Sequence, residues 1–166
     1  MKKSLVILTA LILLICSHSI AQKIIMKIAG ITAAAGEEVR AVEFKITAAT
    51  SWSLGGGASV GKPRLGDFVI KKTNNTSTNE LSKKILTGAV IPVVIFEYYS
   101  AADDKLPYFT ITLKEAFVSN FFWLSPECPT CLKLEHQVAF VPKIIETFDA
   151  VTGKTVGYNI ATGIAY

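Results

Sequence analysis

Side chains with reactive or metal-binding chemistry are scarce in this chain. Three cysteines and two histidines occur among 166 residues, and no Ser/His/Asp or Cys/His constellation can be assembled around them. The Walker pattern of a phosphate-binding loop is also missing, because Pro63 follows Lys62 after the glycine run. We therefore predict that the protein is not an enzyme and uses no cofactor and no metal ion.

Charge and long apolar runs are scarce as well. Asp, Glu, Lys and Arg make up 18% of the residues, and the net charge is +4. No dense basic run with interleaved aromatic residues occurs, which disfavours nucleic acid as a partner. The apolar stretch at residues 5–15 is 11 residues long, whereas a membrane-spanning helix needs about 20. A membrane anchor is therefore disfavoured.

The amino terminus instead has the pattern of an export signal. Lys2 and Lys3 precede the apolar stretch, and Ser19 and Ala21 place small residues at the two positions that cleavage requires. We predict a signal peptide over residues 1–21, cleaved between Ala21 and Gln22. The mature protein is then periplasmic or secreted to the extracellular space, without stable membrane insertion.

Cleavage leaves one domain, residues 22–166. Its 145 residues suffice for a compact fold with a sizeable core. Loss of the two leader lysines lowers the net charge from +4 to +2. Two cysteines remain, Cys128 and Cys131, an even number in an oxidising compartment.

Cys128 and Cys131 are the one motif with reactive potential. Redox pairs of this spacing lie at the start of a helix, but the alternation from Leu132 onward predicts a strand. Zinc needs about four ligands, and only His136 lies nearby. We interpret the pair as a structural disulfide that adds about 2 kcal/mol as a local staple. Free thiols or metal ligation are the alternatives, and an oxidoreductase is disfavoured.

Alternation of apolar and polar side chains dominates the mature sequence. Successive side chains of a strand point to opposite faces, so alternation predicts strands with one buried and one wet face. The predicted strands are residues 22–31, 42–54, 64–72, 109–117, 132–140 and 155–160. A turn at residues 149–154 precedes the last of them. His136 shares a face with Leu134 and Val138 and is predicted to be half-buried with a hydrogen-bond partner.

One short helix is predicted between these strands. Ser77 and Glu80 have the spacing of a capping box at a helix start. Leu81 and Ile85 share a face, and Gly88 provides the left-handed stop. A helix of about 10 residues is too short to be stable alone, so we expect it to lie against the sheet.

Residues 89–99 depart from the alternation because they are apolar on both faces. Such a strand is covered either within its own fold or by another subunit. Pro92 cannot donate to a sheet ladder and indicates an edge or a bulge. We predict subunit burial for the face that carries Val90, Val94 and Phe96, with plain internal burial as the alternative.

The order of these features resembles the hemolysin-coregulated protein (Hcp) family, the ring-forming tube component of type VI secretion systems. The resemblance covers residues 24–158. It rests on the opening strand, the strand that ends near Trp52, the Gly-rich loop, Gly61-Lys62-Pro63 with Asp67-Phe68 and Lys71 downstream, the helix that ends at Thr87-Gly88, the strands of residues 108–119, and the closing segment from Val138.

The resemblance implies a mainly β fold: a closed Hcp-like β-barrel of two packed antiparallel sheets with one short flanking α-helix. It also implies a hexameric homo-oligomer, rings that stack into a tube, and effector cargo or a secretion-system spike as partners. Carried over by position, residues 54–61 resemble the family's extended loop. The predicted subunit interface therefore contains Leu54, Gly55, Gly56 and Gly57 from this loop.

We conclude that the sequence favours a structural, self-assembling protein, either a type VI secretion component or an exported relative with the same ring fold. The alternative is a monomeric secreted β-barrel that binds a peptide or glycan through its loops. The mass of the particle in solution separates the two.

Overall fold

The computed structural model describes residues 22–53, 57–101, 105–124 and 134–166. The predicted signal peptide with Ala21, the loop residues Leu54, Gly55 and Gly56, and the pair Cys128 and Cys131 lie outside the described residues. Cleavage and the disulfide therefore stay predictions.

Within the described residues the chain forms thirteen strands and one helix. The helix, α1, spans Ser77–Thr87. The strands are β1 Lys23–Lys27, β2 Glu37–Val39, β3 Ala41–Glu43, β4 Ile46–Thr47, β5 Thr50–Ser53, β6 Gly57–Val60, β7 Arg64–Leu65, β8 Phe68–Thr73, β9 Ile91–Tyr99, β10 Phe109–Leu124, β11 Glu135–Asp149, β12 Lys154–Asn159 and β13 Ile164–Ala165. The mainly β prediction with one helix is confirmed.

All of the strand pairings are antiparallel. The main sheet has the order β13-β12-β11-β10-β9-β1-β2, and β8 pairs with both β11 and β3. Only Arg40 separates β2 from β3, and its backbone N–H donates to the carbonyl oxygen of Lys71 at 2.8 Å. The segment of residues 37–43 therefore pairs with β1 by its first half and with β8 by its second half.

The core lies between the sheet halves and contains three contacting phenylalanines. Phe96 of β9 packs against Phe68 of β8 and Phe140 of β11, with ring centroids 4.7 and 6.4 Å apart. Leu81 of α1 is fully buried in the same core, which places the helix against the sheet as the sequence predicts. The helix ends at Gly88, whose φ of 62° is left-handed.

The start of the helix differs from the prediction. Thr76, not Ser77, is the N-cap residue, and it makes no side-chain capping hydrogen bond. The backbone N–H of Ser77 instead donates to Glu37 Oε1 of β2 at 3.0 Å. The capping box of Ser77 and Glu80 is therefore wrong, because a carboxylate from a distant strand already accepts the amide that a local cap would bind.

A row of irregular positions crosses the middle of the sheet. Ile91 of β9 pairs with Ala116 of β10 and Val93 pairs with Lys114, so Pro92 faces Glu115 without a regular pair. Glu115 has a φ of 49°, which is left-handed and strained for a non-glycine residue. The predicted irregularity at Pro92 is confirmed.

The same irregularity continues into β11. Lys114 pairs with Ile144 and Ala116 with Pro142, so the unpaired positions Glu115 and Lys143 stand opposite each other. Glu115 and Lys143 form an exposed ion pair at 2.7 Å. At this level the alternation of buried side chains changes face in β9, β10 and β11.

Among the described residues, no helix is long and apolar enough to cross a bilayer.

Candidate assembly surface

A two-stranded arm, defined here as residues 44–67, extends from the sheet. The sequence predicted one continuous strand over residues 42–54, but the structure breaks it into β3, β4 and β5. β4 pairs with β7 and β5 pairs with β6, and Gly61 N–H donates to the carbonyl oxygen of Ala49 at 2.7 Å. Of the residues 54–61 predicted as the extended loop, the structure describes Gly57–Val60 as strand β6 and Gly61 directly after it.

The arm has almost no core of its own. Every residue of the ranges 45–51 and 61–64 is exposed, including the apolar Ile46 at 62%. Phe44 at its base packs on Phe68 with ring centroids 5.6 Å apart. An isolated two-stranded hairpin is at best marginally stable in water, and the arm side chains whose burial the structure describes add little packing within one subunit.

The arm is also basic in the part that the structure describes. Lys45, Lys62 and Arg64 are exposed on it, and Asp67 at its base accepts a hydrogen bond from Ser119 Oγ at 3.1 Å. A hollow of about 540 Å³ lies beside Lys62 and Arg64. The arm therefore carries exposed basic side chains together with the exposed apolar side chain of Ile46.

The three interface residues predicted in the segment of residues 89–99 differ in burial. Val94 and Phe96 are fully buried in the core of the single chain, so their assignment to a subunit interface is wrong. They pack in one core cluster with Phe68 and Phe140, and the change of buried face at Pro92 brings Ile91 onto their face and leaves Val90 apart from them. Val90 is 41% exposed and remains available to a neighbour. Gly57 begins β6, and its role at an interface stays a prediction.

An apolar shoulder, defined here as Val90, Val93 and Ile95, borders the end of β1. β1 pairs with β9 only as far as Lys27 opposite Ile95, so the rest of β9 has no strand on that side. A hollow of about 420 Å³ opens there, lined by Val93 and Ile95 with Lys27 and the segment of residues 28–34. Small alanine and glycine side chains in that segment leave the space for another chain.

The outward sheet face beyond the shoulder carries paired charges. Lys27 contacts Glu97 at 2.7 Å, and Lys114 contacts Glu146 at 2.7 Å. Tyr166 also donates a hydrogen bond to Glu146 at 2.6 Å. The hydrogen bonds from Lys114 and Tyr166 lower the pKa of Glu146, against a small opposing effect of burial. The face is therefore polar and internally neutralised.

A buried polar cluster joins the helix start to three strands. We define it as Glu37, Lys72, Ser77, Thr78 and His136. Lys72 is fully buried and its Nζ lies 2.9 Å from Glu37 Oε2. Ser77 Oγ hydrogen-bonds with both Lys72 and Glu37.

Opposing effects act on the pKa values of Glu37 and Lys72 in this cluster. Burial would raise the pKa of Glu37, but hydrogen bonds from Ser77, Thr76 and Lys72 lower it below its ordinary value. Burial lowers the pKa of Lys72, while the Glu37 carboxylate opposes that shift. The pair therefore forms a neutral unit inside the protein.

His136 completes the cluster from β11. Its side chain is fully buried rather than half-buried as predicted, and its Nε2 lies 2.9 Å from Thr78 Oγ1. The ring stacks on Phe121 and meets the edge of Trp123, both with centroids 5.3 Å away. The predicted hydrogen-bond partner is confirmed.

Metal ligation finds no support in the part of the chain that the structure describes, where no three Cys, His, Asp or Glu side chains come together.

These surfaces and this fold correspond to one known family. The profile of the family described as "Type VI secretion system effector, Hcp" matches residues 31–140, more than half of the chain. The chain belongs to the Hcp family. Hcp is a structural component of type VI secretion systems and is not known as an enzyme family.

Solved structures show the same fold at low sequence identity. A type six secretion system protein matches with a TM-score of 0.77 and 15% identity, covering 88% of this chain and 100% of that chain. Hcp1 from Salmonella typhimurium matches with a TM-score of 0.72 and 16% identity over 88% and 100% of the two chains. A type VI secretion system effector from Yersinia pestis gives a TM-score of 0.65 and 16% identity over 82% and 99%. No curated protein sequence matches this chain.

Proposed function

We propose that copies of this Hcp protein assemble into six-membered rings that stack into a tube, as a type VI secretion component or an exported relative. The arm is the observation that carries this proposal. Within one subunit its exposed backbone and Ile46 have little to pack against, and burial by a neighbour would supply the missing stabilisation.

Ring closure needs two different complementary surfaces on each subunit, because a head-to-tail contact joins unlike patches. The arm supplies one candidate, and the shoulder of Val90, Val93 and Ile95 supplies the other. The outward face with the pairs Lys27–Glu97 and Lys114–Glu146 is suited to face water in the lumen, since its charges are already paired. Cargo would then meet a wall that makes weak, unspecific contacts.

A closed barrel is part of the same proposal. The segment of residues 37–43 pairs with β1 and then with β8, which would join the two ends of the strand order β1-β9-β10-β11-β8. Slow amide exchange of Arg40, whose N–H donates to the carbonyl oxygen of Lys71, is expected for a closed sheet. Fast exchange at Arg40 beside protected β8 amides would indicate an open edge.

Assembly is tested with protein purified from the periplasm of bacteria that express the full chain. We expect an intact mass that begins at Gln22, which reports export and cleavage, and light scattering of about six times the subunit mass. Ile46→Asp places a charge on the arm where burial by a neighbour is proposed, so it is expected to yield monomers.

The matched control is Leu86→Asp. Leu86 lies on α1 and is 83% exposed, so this variant adds the same negative charge at an exposed position outside the arm. Monomers with Ile46→Asp and rings with Leu86→Asp support the arm as an interface. A monomeric wild-type protein at high concentration contradicts ring assembly and favours the monomeric binding module.

A further inference from the structure

The buried cluster binds the first turn of α1 through groups that respond differently to acid. Thr76 Oγ1 and the Ser77 N–H donate to Glu37 Oε1 at 2.7 and 3.0 Å. Thr78 Oγ1 is joined to His136 Nε2 at 2.9 Å. Three consecutive residues of the helix start thus depend on one carboxylate of β2 and one imidazole of β11.

The cluster pairs one carboxylate with one ammonium group, so a proton on His136 would add a positive charge that has no carboxylate to pair with. Lys72 of β8 stands directly opposite His136 in the strand register, and among the described residues Glu37 is the carboxylate that acts on both of them. α1 contributes the neutral Thr78, and β10 contributes the aromatic rings of Phe121 and Trp123. Of the adjoining residues of β11, the charged Glu135 already pairs with Arg40.

A proton on His136 would also create an unsatisfied donor. Nδ1 is buried and has no hydrogen-bond partner among the residues that the structure describes. In the Nε2–H tautomer the neutral ring donates to Thr78 Oγ1 and Nδ1 carries no proton, so no donor is left without an acceptor. In the imidazolium both nitrogens are donors, and a buried donor without an acceptor is costly.

We propose that His136 is a proton-sensitive latch, which holds the first turn of α1 on the sheet when neutral and releases it when the ring is protonated. Burial, assisted by the Lys72 ammonium and opposed by the Glu37 carboxylate, lowers the pKa of His136 below its ordinary value of 6.5. This regulatory role is separate from ring assembly, because every contact in it lies within one subunit.

The sign of the pH effect follows from linkage. The released histidine takes up a proton below pH 6.5, whereas the latched one takes it up only at its lower pKa. Opening therefore binds one proton, and the opening equilibrium constant rises by up to about tenfold for each pH unit below 6.5. Glu37 does not contribute in the same window, because its pKa is already lowered from 4.5.

Amide hydrogen exchange of the mature protein between pH 7.5 and 5.5 tests the latch. After correction for intrinsic exchange, the opening constant of the amides in residues 77–81 is expected to rise on acidification, while amides of β9 and β10 stay unchanged. His136→Gln keeps a polar group within reach of Thr78 but does not titrate, so its opening constant is expected to be independent of pH.

Three outcomes would overturn the latch: no pH dependence in the wild-type protein, an equal dependence in His136→Gln, or a rise shared by the core strands. If His136→Gln does not fold, nuclear magnetic resonance titration of the His136 ring in the wild-type protein decides. Titration at or above 6.5 overturns the proposal, and titration below it together with faster exchange at the helix start supports it.

Discussion

Lys71 and Lys72 are adjacent in β8 and occupy opposite environments. Lys71 points to water and contacts Glu43 at 3.0 Å, whereas Lys72 is fully buried against Glu37. Surface ion pairs are typically worth about 0–1 kcal/mol, while removal of one partner of a buried pair costs about 3–5 kcal/mol because the other charge is left uncompensated. The two neighbours therefore differ strongly in what they contribute to stability.

We predict that Lys72→Met lowers the free energy of unfolding by about 3–5 kcal/mol, and that Lys71→Met lowers it by less than about 1 kcal/mol. Urea denaturation of the two variants measures both losses. The substitutions remove the same charge from consecutive residues, so each is the control of the other. Similar losses in the two variants would show that the Glu37–Lys72 pair is not buried in solution.

The sequence contained a signal for this pair. Phe68, Ile70 and Lys72 share one face of β8, and the burial of the first two would place the lysine in the core as well. A lysine on a core face predicts a buried carboxylate partner. The partner itself lies in a three-residue strand, β2, whose Glu-Glu-Val sequence has no apolar alternation and so was not predicted.

Among the elements, the strands with the clearest alternation were predicted best. β8, β10, β11 and β12 occur where the alternation predicts them, although β10 and β11 are longer, and β9 falls within the segment of residues 89–99 that is apolar on both faces. An alternation of period two carries no information about where a sheet bends. Of the three aligned irregularities, the sequence therefore predicted the one at Pro92 but not those at Glu115 and Lys143. Val94 and Phe96 were assigned to an interface because the apolar pattern alone does not distinguish burial in the core of the single chain, which the structure shows, from burial by a neighbour.

Glu115 offers a test of the bend. The left-handed conformation costs an ordinary residue about 1–2 kcal/mol, and asparagine tolerates it best among non-glycine residues. We expect Glu115→Asn to leave stability within about 0.5 kcal/mol of the wild type, because the loss of the exposed pair with Lys143 is small. Glu115→Val is expected to lose about 2 kcal/mol, since a β-branched residue fits this conformation worst.

Thermal unfolding of both variants measures the difference. Lys143→Ala serves as the control, because it removes the same ion pair without changing the conformation at residue 115. If the valine variant is as stable as the asparagine variant, residue 115 does not adopt the left-handed conformation in solution.

At the scale of the whole molecule, the subunit core and the arm are nearly independent. The buried core draws its side chains from β1, β2, β8–β11 and α1, and among the described side chains between residues 45 and 67 only Leu65 packs against it. The family resemblance implied a closed barrel, but it could not place the arm, because an exposed hairpin has the same alternation as a half-buried strand. Under the proposed assembly, a neighbouring subunit covers the arm.

This independence makes the arm removable. We predict that residues 48–63 can be replaced by Asn-Gly, which forms the two-residue turn suited to a hairpin. The turn would connect Thr47 to Arg64, which are already paired between β4 and β7. The shortened subunit is expected to unfold at the same temperature as monomeric Ile46→Asp protein, because no core side chain is lost. Sedimentation velocity is expected to show monomers only. A variant that still forms rings would place the subunit contact elsewhere on the barrel, and one that fails to fold would show that the arm stabilises the subunit itself.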